Sequence, residues 1–548
     1  MRRAGVATKA GEGGGQGSPA FLAVLVMAQM GTSCDNGLVG LAAAELVSSL
    51  DATMADVQLA TTVYACVAGA FMIAGGMVGV VVGMRRTLRL GLALAVLGEA
   101  VLVCAPNMAV FSWAGRLVVG VGASLVTPSV LGMVPVFWRG RKRTLAFGAI
   151  SAGIALSSLL SLPLAVLMDA WGFRATFGLL AGYFALVLVA TCALPRMTSA
   201  GGGLHFDFKG LVVAATGLAL FLLGVSKMSS WGPLYATHAA PISLGGFSPA
   251  IFFAAAGLML LVALVPMEKR IEQRHGFALL PQSFIGSPAV MQGLLAVMLP
   301  YFVMGSLMII MVPYVQLVAG FTAFQTSVVS LLMSGPMLVF SVAFPRVFPR
   351  LSIRSTIRSG FVMSALGTVA MGAGFTVDGV SAWFFAGLVL VGVGLGTVNS
   401  QANNSVASSV DLRDAEQSGG IQGTARNVGT ALGSAMLGTV LLVFTIAALP
   451  SSIADSASIP QDVRAEFEQL ELSFVGDDDM RDIIGGLSTP VEQEAADAIL
   501  AANEDTRFSA ARLSMGLLSG VIALSVLATR HLPRCCAEKG EGRAKEEG

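Results

Sequence analysis

Two residues of opposite charge stand inside long apolar runs of this 548-residue chain. Asp35 lies about 15 residues into a run that begins near Pro19, and Arg116 lies about seven residues from one end of a run around Val110. A charge at the centre of a bilayer costs about 2.5 to 3.5 kcal/mol on insertion scales, so each residue needs a partner or a water-filled cavity. At about 1.5 Å of rise per helical residue their depths differ by roughly 6 Å, which an arginine side chain can bridge. The two are expected to face one central cavity, in contact or through water. A carboxylate whose proton affinity depends on an arginine and on a bound solute is a coupling device, because either ligand can displace the other. A static ion pair that only fixes helix packing would use the same residues.

Other polar groups in apolar surroundings extend the candidate site. Glu99 falls in the middle of the third run, and Asn399 and Asn403 stand one turn apart on one face of the twelfth, beside Gln401 and Asn404. Such amides bond either a solute or a neighbouring helix. Arg426 sits about two turns from the end of the thirteenth run, where snorkelling to the interface is the simplest expectation. Cofactor chemistry has no footing. The histidines, His205, His238, His275 and His531, lack metal-ligand spacing, there is no GxxxxGK[ST] loop, and GVGLG from Gly392 lies in an apolar helix without a flanking strand. Of the six cysteines, four fall in apolar runs and Cys535 with Cys536 falls in the tail, so no disulfide framework is expected, although palmitoylation of the tail pair is conceivable.

The elements that must position these residues follow from composition. With 55% hydrophobic and 12% charged residues, the chain cannot be an ordinary soluble globule, in which about a quarter of residues are charged. Its solvent is the bilayer, where each span must be a helix of roughly 20 residues. Apolar runs start near Pro19, Gln58, Leu88, Val110, Thr144, Arg174, Phe208, Pro249, Pro288, Thr322, Thr356, Ala382, Gly419 and Phe508. Most lysines and arginines then fall in the even-numbered linkers and the two tails, for example Arg85, Arg86 and Arg89, or Arg139, Arg141, Lys142 and Arg143. That asymmetry predicts cytoplasmic termini and an even span count.

One half of the chain carries a faint copy of the other. MRRTLRLGLALAVLG from Met84 lies over IRSTIRSGFVMSALG from Ile353, and WAGRLVVGVG from Trp113 lies over FAGLVLVGVG from Phe385. Repeats that meet across a central site are the architecture of secondary transporters. Both repeated segments follow even-numbered spans, so the halves share one orientation, and spans 7 and 8 are an insertion. The expected fold is an all-α polytopic membrane protein with six-helix bundles in 18–200 and 276–548 and two inserted helices in 201–275. Residues 1–17 are expected to form a disordered cytoplasmic tail and 531–548 a second cytoplasmic tail. Residues 450–506, with fourteen acidic residues against Arg464 and Arg481, read as an external, solvated acidic loop.

RLVVGVGAS from Arg116 resembles the span-4 motif R-x-x-Q-G-x-G-A-A of the fourteen-span drug:proton antiporter branch of the major facilitator superfamily, with Val119 in the glutamine position. DNGLVGLA from Asp35 is similar to the branch's span-1 motif, with Gly40 where asparagine is usual. Tyr64 matches a span-2 tyrosine, Tyr314 and Gln316 match the start of the second half, and SGGIQGTARNVGTALGSA from Ser418 resembles the span-13 signature. The loop after span 2, GMVGVVVGMRR from Gly76, carries Val80 in the position of the family's gating aspartate. Span 5, LLSLPLAVLMDAWGFR, lacks the antiporter glycines. The resemblance covers nearly the whole chain and implies two bundles opening alternately to each side of a membrane.

It also implies roles. Asp35 and Arg116 would couple protons, and Gly76, Gly83, Arg85 and Arg86 fall in the loop that gates in the family. The resemblance carries no role to Asn399, Asn403, Gln316, Tyr64 and Glu99, which are substrate-binding candidates by their polarity and place in the apolar runs. The implied function is secondary active, proton-coupled efflux of small hydrophobic or cationic compounds such as drugs, dyes or secondary metabolites. Two alternatives stay open: uptake or facilitated exchange of an organic solute, and a receptor or scaffold that transports nothing. The expected partners are a small-molecule substrate, protons and the lipid bilayer, with no nucleic acid and no cofactor. The protein is expected to be a monomeric non-enzyme in a bacterial plasma membrane.

Overall fold

A computed structural model describes residues 18–194, 207–237, 240–275, 278–377, 379–410, 417–456, 459–467, 477–487, 489 and 491–532. The tail 1–17, His205, His238 and the tail pair Cys535 and Cys536 lie outside the described residues.

Fourteen long helices account for the fourteen apolar runs. They are α1 Pro19–Leu41, α2 Met54–Val82, α3 Met84–Cys104, α4 Met108–Phe137, α5 Gly140–Leu159, α6 Ala170–Ala190 and α7 Phe208–Trp231; the helical stretch after Ser161 continues α5 and is broken from α6 at Gly172, whose φ is 77°. The second set is α8 Pro249–His275, α9 Pro288–Val318, α10 Ala323–Val347, α11 Ile353–Gly374, α12 Ala382–Ser409, α13 Ser418–Asp455 and α14 Gln493–Leu527. Eleven of these are long and apolar enough to cross a membrane by length and composition alone. The other three, α1, α5 and α11, carry more polar residues.

Helix ends follow local chemistry. Ser18 caps α1 by accepting from the Phe21 N–H at 3.1 Å, with Pro19 in the first turn where its missing N–H costs nothing. Thr53 with Asp56, and Thr322 with Gln325, form capping boxes at the starts of α2 and α10. Only Gly83 separates α2 from α3, and its φ of 103° is a conformation that residues with a Cβ rarely adopt.

The duplicated segments have duplicated contacts. A methyl added at Gly91 would come within 2.8 Å of the Gly122 carbonyl oxygen, joining α3 to α4, and one at Gly360 within 2.7 Å of the Gly394 carbonyl oxygen, joining α11 to α12. Close backbone approach at small residues drives helix association in lipid. The repeated arginines also act alike. Arg89 Nε donates to Thr191 Oγ1 at 3.0 Å, beyond the end of α6, and Arg358 Nε donates to Thr529 Oγ1 at 2.7 Å, beyond the end of α14. Arg85 donates to the Cys192 carbonyl, and Arg354 to the carbonyls of Leu532 and Arg530. These cations meet helix C-terminal ends, where backbone carbonyls are unsatisfied and the dipole is negative.

Among the described residues, one large apolar core is built on α1 to α6 and another on α9 to α14, with Ala407 and Ala155 crossing between them. The inserted hairpin α7–α8 packs on itself and lies against α2 and α13.

The acidic insert differs from the expected solvated loop. Within it, helices Gln461–Phe467 and Asp477–Gly485 fold onto the ends of α13 and α14. Leu449, Ile453, Val463, Phe467, Met480 and Ile499 form a core of their own. Among the described residues, Asp462, Asp482, Glu492, Glu494, Asp497 and Asp505 are exposed on its outside, while Val463 and Phe467, four apart, supply an apolar stripe that overall charge obscures. The flanking helices extend to meet it: α14 starts at Gln493, well before Phe508, and the 38 residues of α13 span about 57 Å at about 1.5 Å each.

Candidate functional site

Between the halves lies a cavity of about 240 Å³. The first half contributes Gln29, Thr32, Ser33 and Asn36 from α1 and Tyr64 from α2. The second half contributes Tyr301 from α9 and Arg426, Asn427 and Thr430 from α13, and Leu222 and Ser226 of the inserted α7 close one side.

Immediately behind the first-half wall, Arg116 Nη1 donates to Asp35 Oδ1 at 2.5 Å, with both side chains fully buried. The expected pairing is therefore direct. Arg116 closes a π-helical turn, Phe111–Arg116, inserted in α4. Such turns re-aim a side chain within an otherwise regular helix and recur at functional sites. The Arg116 guanidinium carbon stands 4.3 Å from the centroid of the Tyr64 ring, and Tyr64 Oη donates to the Thr32 carbonyl at 3.4 Å. Tyr64 thus has the ion pair on one side and the cavity on the other.

Glu99 completes this cluster rather than lining the cavity. Fully buried on α3, its carboxyl faces Asp35 and Arg116. Neither Glu99 oxygen receives a hydrogen bond, nor does Asp35 Oδ2. Two acceptor-only carboxylates face one another with one guanidinium, bonded to Asp35, and the two carboxylates can bond each other only through a proton.

The remaining sequence-predicted residues divide. Asn403 reaches the cavity indirectly, accepting from Arg426 Nη2 at 2.9 Å. Asn399 is buried and Gln316 partly buried, and neither is among the cavity-lining residues. Asn404 instead joins the halves. Its Oδ1 accepts from Arg143 Nε at 2.8 Å, and its Nδ2 donates to Thr144 Oγ1 at 3.0 Å. Arg143 Nη1 also donates to the Ala407 carbonyl at 3.4 Å. Gly76 of the loop region lies against Gly420, so α2 and α13 touch backbone to backbone at the same end, while Arg86 is exposed. The halves are latched together at the end that carries the basic linkers.

Arg426 departs most from its sequence-based expectation. It is 5% exposed and does not snorkel; it lines the cavity and lies with its guanidinium carbon 5.2 Å from the Tyr301 ring centroid. The turn of α13 between Gly423 and Gly429 faces α2 and α9 rather than lipid, which side-chain length and span position alone do not disclose.

The Major Facilitator Superfamily profile matches residues 25–434. The chain belongs to that superfamily. Major-facilitator relatives of similar length include the tetracenomycin C resistance and export protein of Streptomyces glaucescens, 26% identical over 438 residues, covering 77% of this chain and 76% of the relative. The probable actinorhodin transporter of Streptomyces coelicolor is 23% identical over 449 residues, covering 80% and 75%. The puromycin resistance protein pur8 of Streptomyces alboniger is 24% identical over 453 residues, covering 80% and 84%. Among solved major-facilitator structures, the human organic anion transporter MFSD10 superposes with a TM-score of 0.58 at 13% identity, covering 93% of this chain and 98% of that one. The proton:xylose symporter XylE superposes with a TM-score of 0.54 at 11% identity, covering 95% and 98%. These two support the fold alone. The chain is thus a multi-pass membrane protein of a transporter family, not an enzyme.

Proposed function

We propose that this chain exports small, largely apolar compounds in exchange for protons, opening its cavity to the two membrane faces in turn. The feature that carries this conclusion is the buried Asp35–Arg116 pair directly behind the Tyr64 wall of the cavity. The direction is supported by relatives named for resistance or export.

Asp35 and Glu99 form the proton-carrying pair, and Arg116 sets which member keeps its charge. With Asp35 ionised, Arg116 is held at 2.5 Å. A proton on Asp35 removes most of that attraction, and the guanidinium is then held by the Tyr64 face and by Glu99. A solute resting on the cavity side of Tyr64 acts on the same ring. Proton and solute thereby compete through one arginine, the differential interaction that coupling requires. Opening the basic end requires release of the Arg143–Asn404 latch and parting of Gly76 from Gly420. The transporter is a monomer of a bacterial plasma membrane with both termini and the basic linkers in the cytoplasm, and it engages neither nucleic acid nor cofactor.

Cells expressing the wild type are expected to accumulate less of a panel of apolar aromatic antibiotics and dyes than cells expressing Asp35→Asn, and a protonophore is expected to erase the difference. Equal accumulation in all cells, with the protein verified in the membrane, would favour a receptor or scaffold.

A further inference from the structure

Each half carries an arginine–tyrosine stack at the cavity, Arg116 behind the lining Tyr64 and Arg426 beside Tyr301 in the lining itself, and of the two arginines Arg116 is the one neutralised. Arg116 is ion-paired to Asp35; Arg426 donates to Asn403 Oδ1, a neutral amide, and has no ion pair among the described residues. Among the described residues its Nε has no acceptor, and neither has Nδ2 of Asn427, the next residue and a second lining group. Gln29, Thr32, Ser33, Asn36 and Thr430 add polarity to the wall without charge.

A buried cation is stable only with a compensating partner or hydrogen-bond acceptors. Here the described residues supply only neutral partners to the cation, the Asn403 amide and the Tyr301 phenol, and leave one donor on each of two successive cavity-lining residues without an acceptor. From this we infer that Arg426 and Asn427 form the recognition site for an anionic group, a carboxylate or phenolate, on an otherwise aromatic substrate, with Tyr301 packing beside it. Guanidinium and amide N–H groups would bond the anion's oxygens, charge-assisted on the Arg426 side. The inference rests on the export reading for its physiological setting, and it replaces the cationic substrate expected from sequence with an organic anion. It also explains why the transporter keeps Asp35 and Glu99 away from the cavity surface: a carboxylate there would repel this substrate.

The test uses the full-length protein in nanodiscs and two dyes on one xanthene frame, anionic fluorescein and cationic rhodamine 123, with binding read by fluorescence anisotropy. The wild type is expected to bind fluorescein at least tenfold more tightly than rhodamine 123. Arg426→Gln should weaken fluorescein binding about tenfold or more and leave rhodamine 123 binding no weaker, and Arg426→Lys should retain the preference for the anion. Equal or tighter binding of rhodamine 123 by the wild type overturns the proposal without recourse to any variant, as does unchanged fluorescein affinity in folded Arg426→Gln. Uptake into energised inverted vesicles separates the two levels. Arg426-dependent binding of fluorescein without energised uptake supports the anion site and counts against export. Energised uptake of rhodamine 123 that is indifferent to Arg426 upholds export and overturns the anion site.

Discussion

At the scale of single residues, the site is an exercise in charge compensation. Removing one member of a buried ion pair leaves the other uncompensated and typically costs about 3 to 5 kcal/mol, whereas neutralising both is far milder. Asp35→Asn and Arg116→Gln should therefore each lower the thermal unfolding temperature of the purified protein, and the double variant should recover much of the loss. All three should lack proton-driven export, so stability and coupling separate in the double variant. Glu99→Gln should differ: with no ion pair of its own to lose, it should leave folding intact and still reduce coupled transport at least tenfold. Unimpaired coupling in Glu99→Gln would remove Glu99 from the proton path. Asp35 and Arg116 were legible in sequence because a charge in an apolar run is costly enough to demand a reason. The partnership of Glu99 with them was not, since its depth on α3 carries no information about which way that helix turns. Arg426 misled for a related reason: a long cationic side chain near a helix end can reach the interface, and only the packing of α13 against α2 and α9 shows that it points inward.

Among elements, the fold repeats contacts more faithfully than it repeats letters. Gly91 with Gly122, and Gly360 with Gly394, weld α3 to α4 and α11 to α12. Forcing side chains into such seams costs about 1 to 3 kcal/mol or more. Gly91→Val and Gly360→Val should each destabilise the protein to that degree in a thermal-shift assay, whereas the same change at exposed Gly182, which has no neighbour near its missing Cβ, should have little effect. The arginine latches explain why Arg89 and Arg358 persist in both copies. Their partners belong to a further repeat, ATCALPR from Ala190 and ATRHLPR from Ala528, which is visible in sequence but gains meaning only when both threonines are seen to meet equivalent arginines. Helix number and order could be read from hydropathy because lipid forces each span to satisfy its own backbone. The acidic insert could not, because its few apolar residues matter by spacing and contact, and fourteen carboxylates dominate any average.

For the whole molecule, the latch at the basic end defines the conformational state. Arg143, Thr144 and Asn404 tie the halves together there, and α5 runs close along α10 at Gly148 and Ser341. Asn404→Ala should release part of this latch and shift the population toward the opposite opening, by a factor of about 10 or more if one charged hydrogen bond worth roughly 1.5 kcal/mol or more is lost. Spin labels placed across that end should report longer distances in the variant, and an unchanged distribution would mean that the glycine contacts alone hold it shut. In the proposed coupling, proton movement and substrate movement share Arg116 and its carboxylates. Its most direct test is reconstitution in proteoliposomes with an imposed pH gradient, following internal pH while a substrate identified in the cell assay is added. Substrate-dependent proton flux opposite in direction to substrate movement is expected in the wild type, and none in Asp35→Asn. Substrate movement at equal rate with and without the gradient, or proton flux unaffected by loss of Asp35, would contradict it.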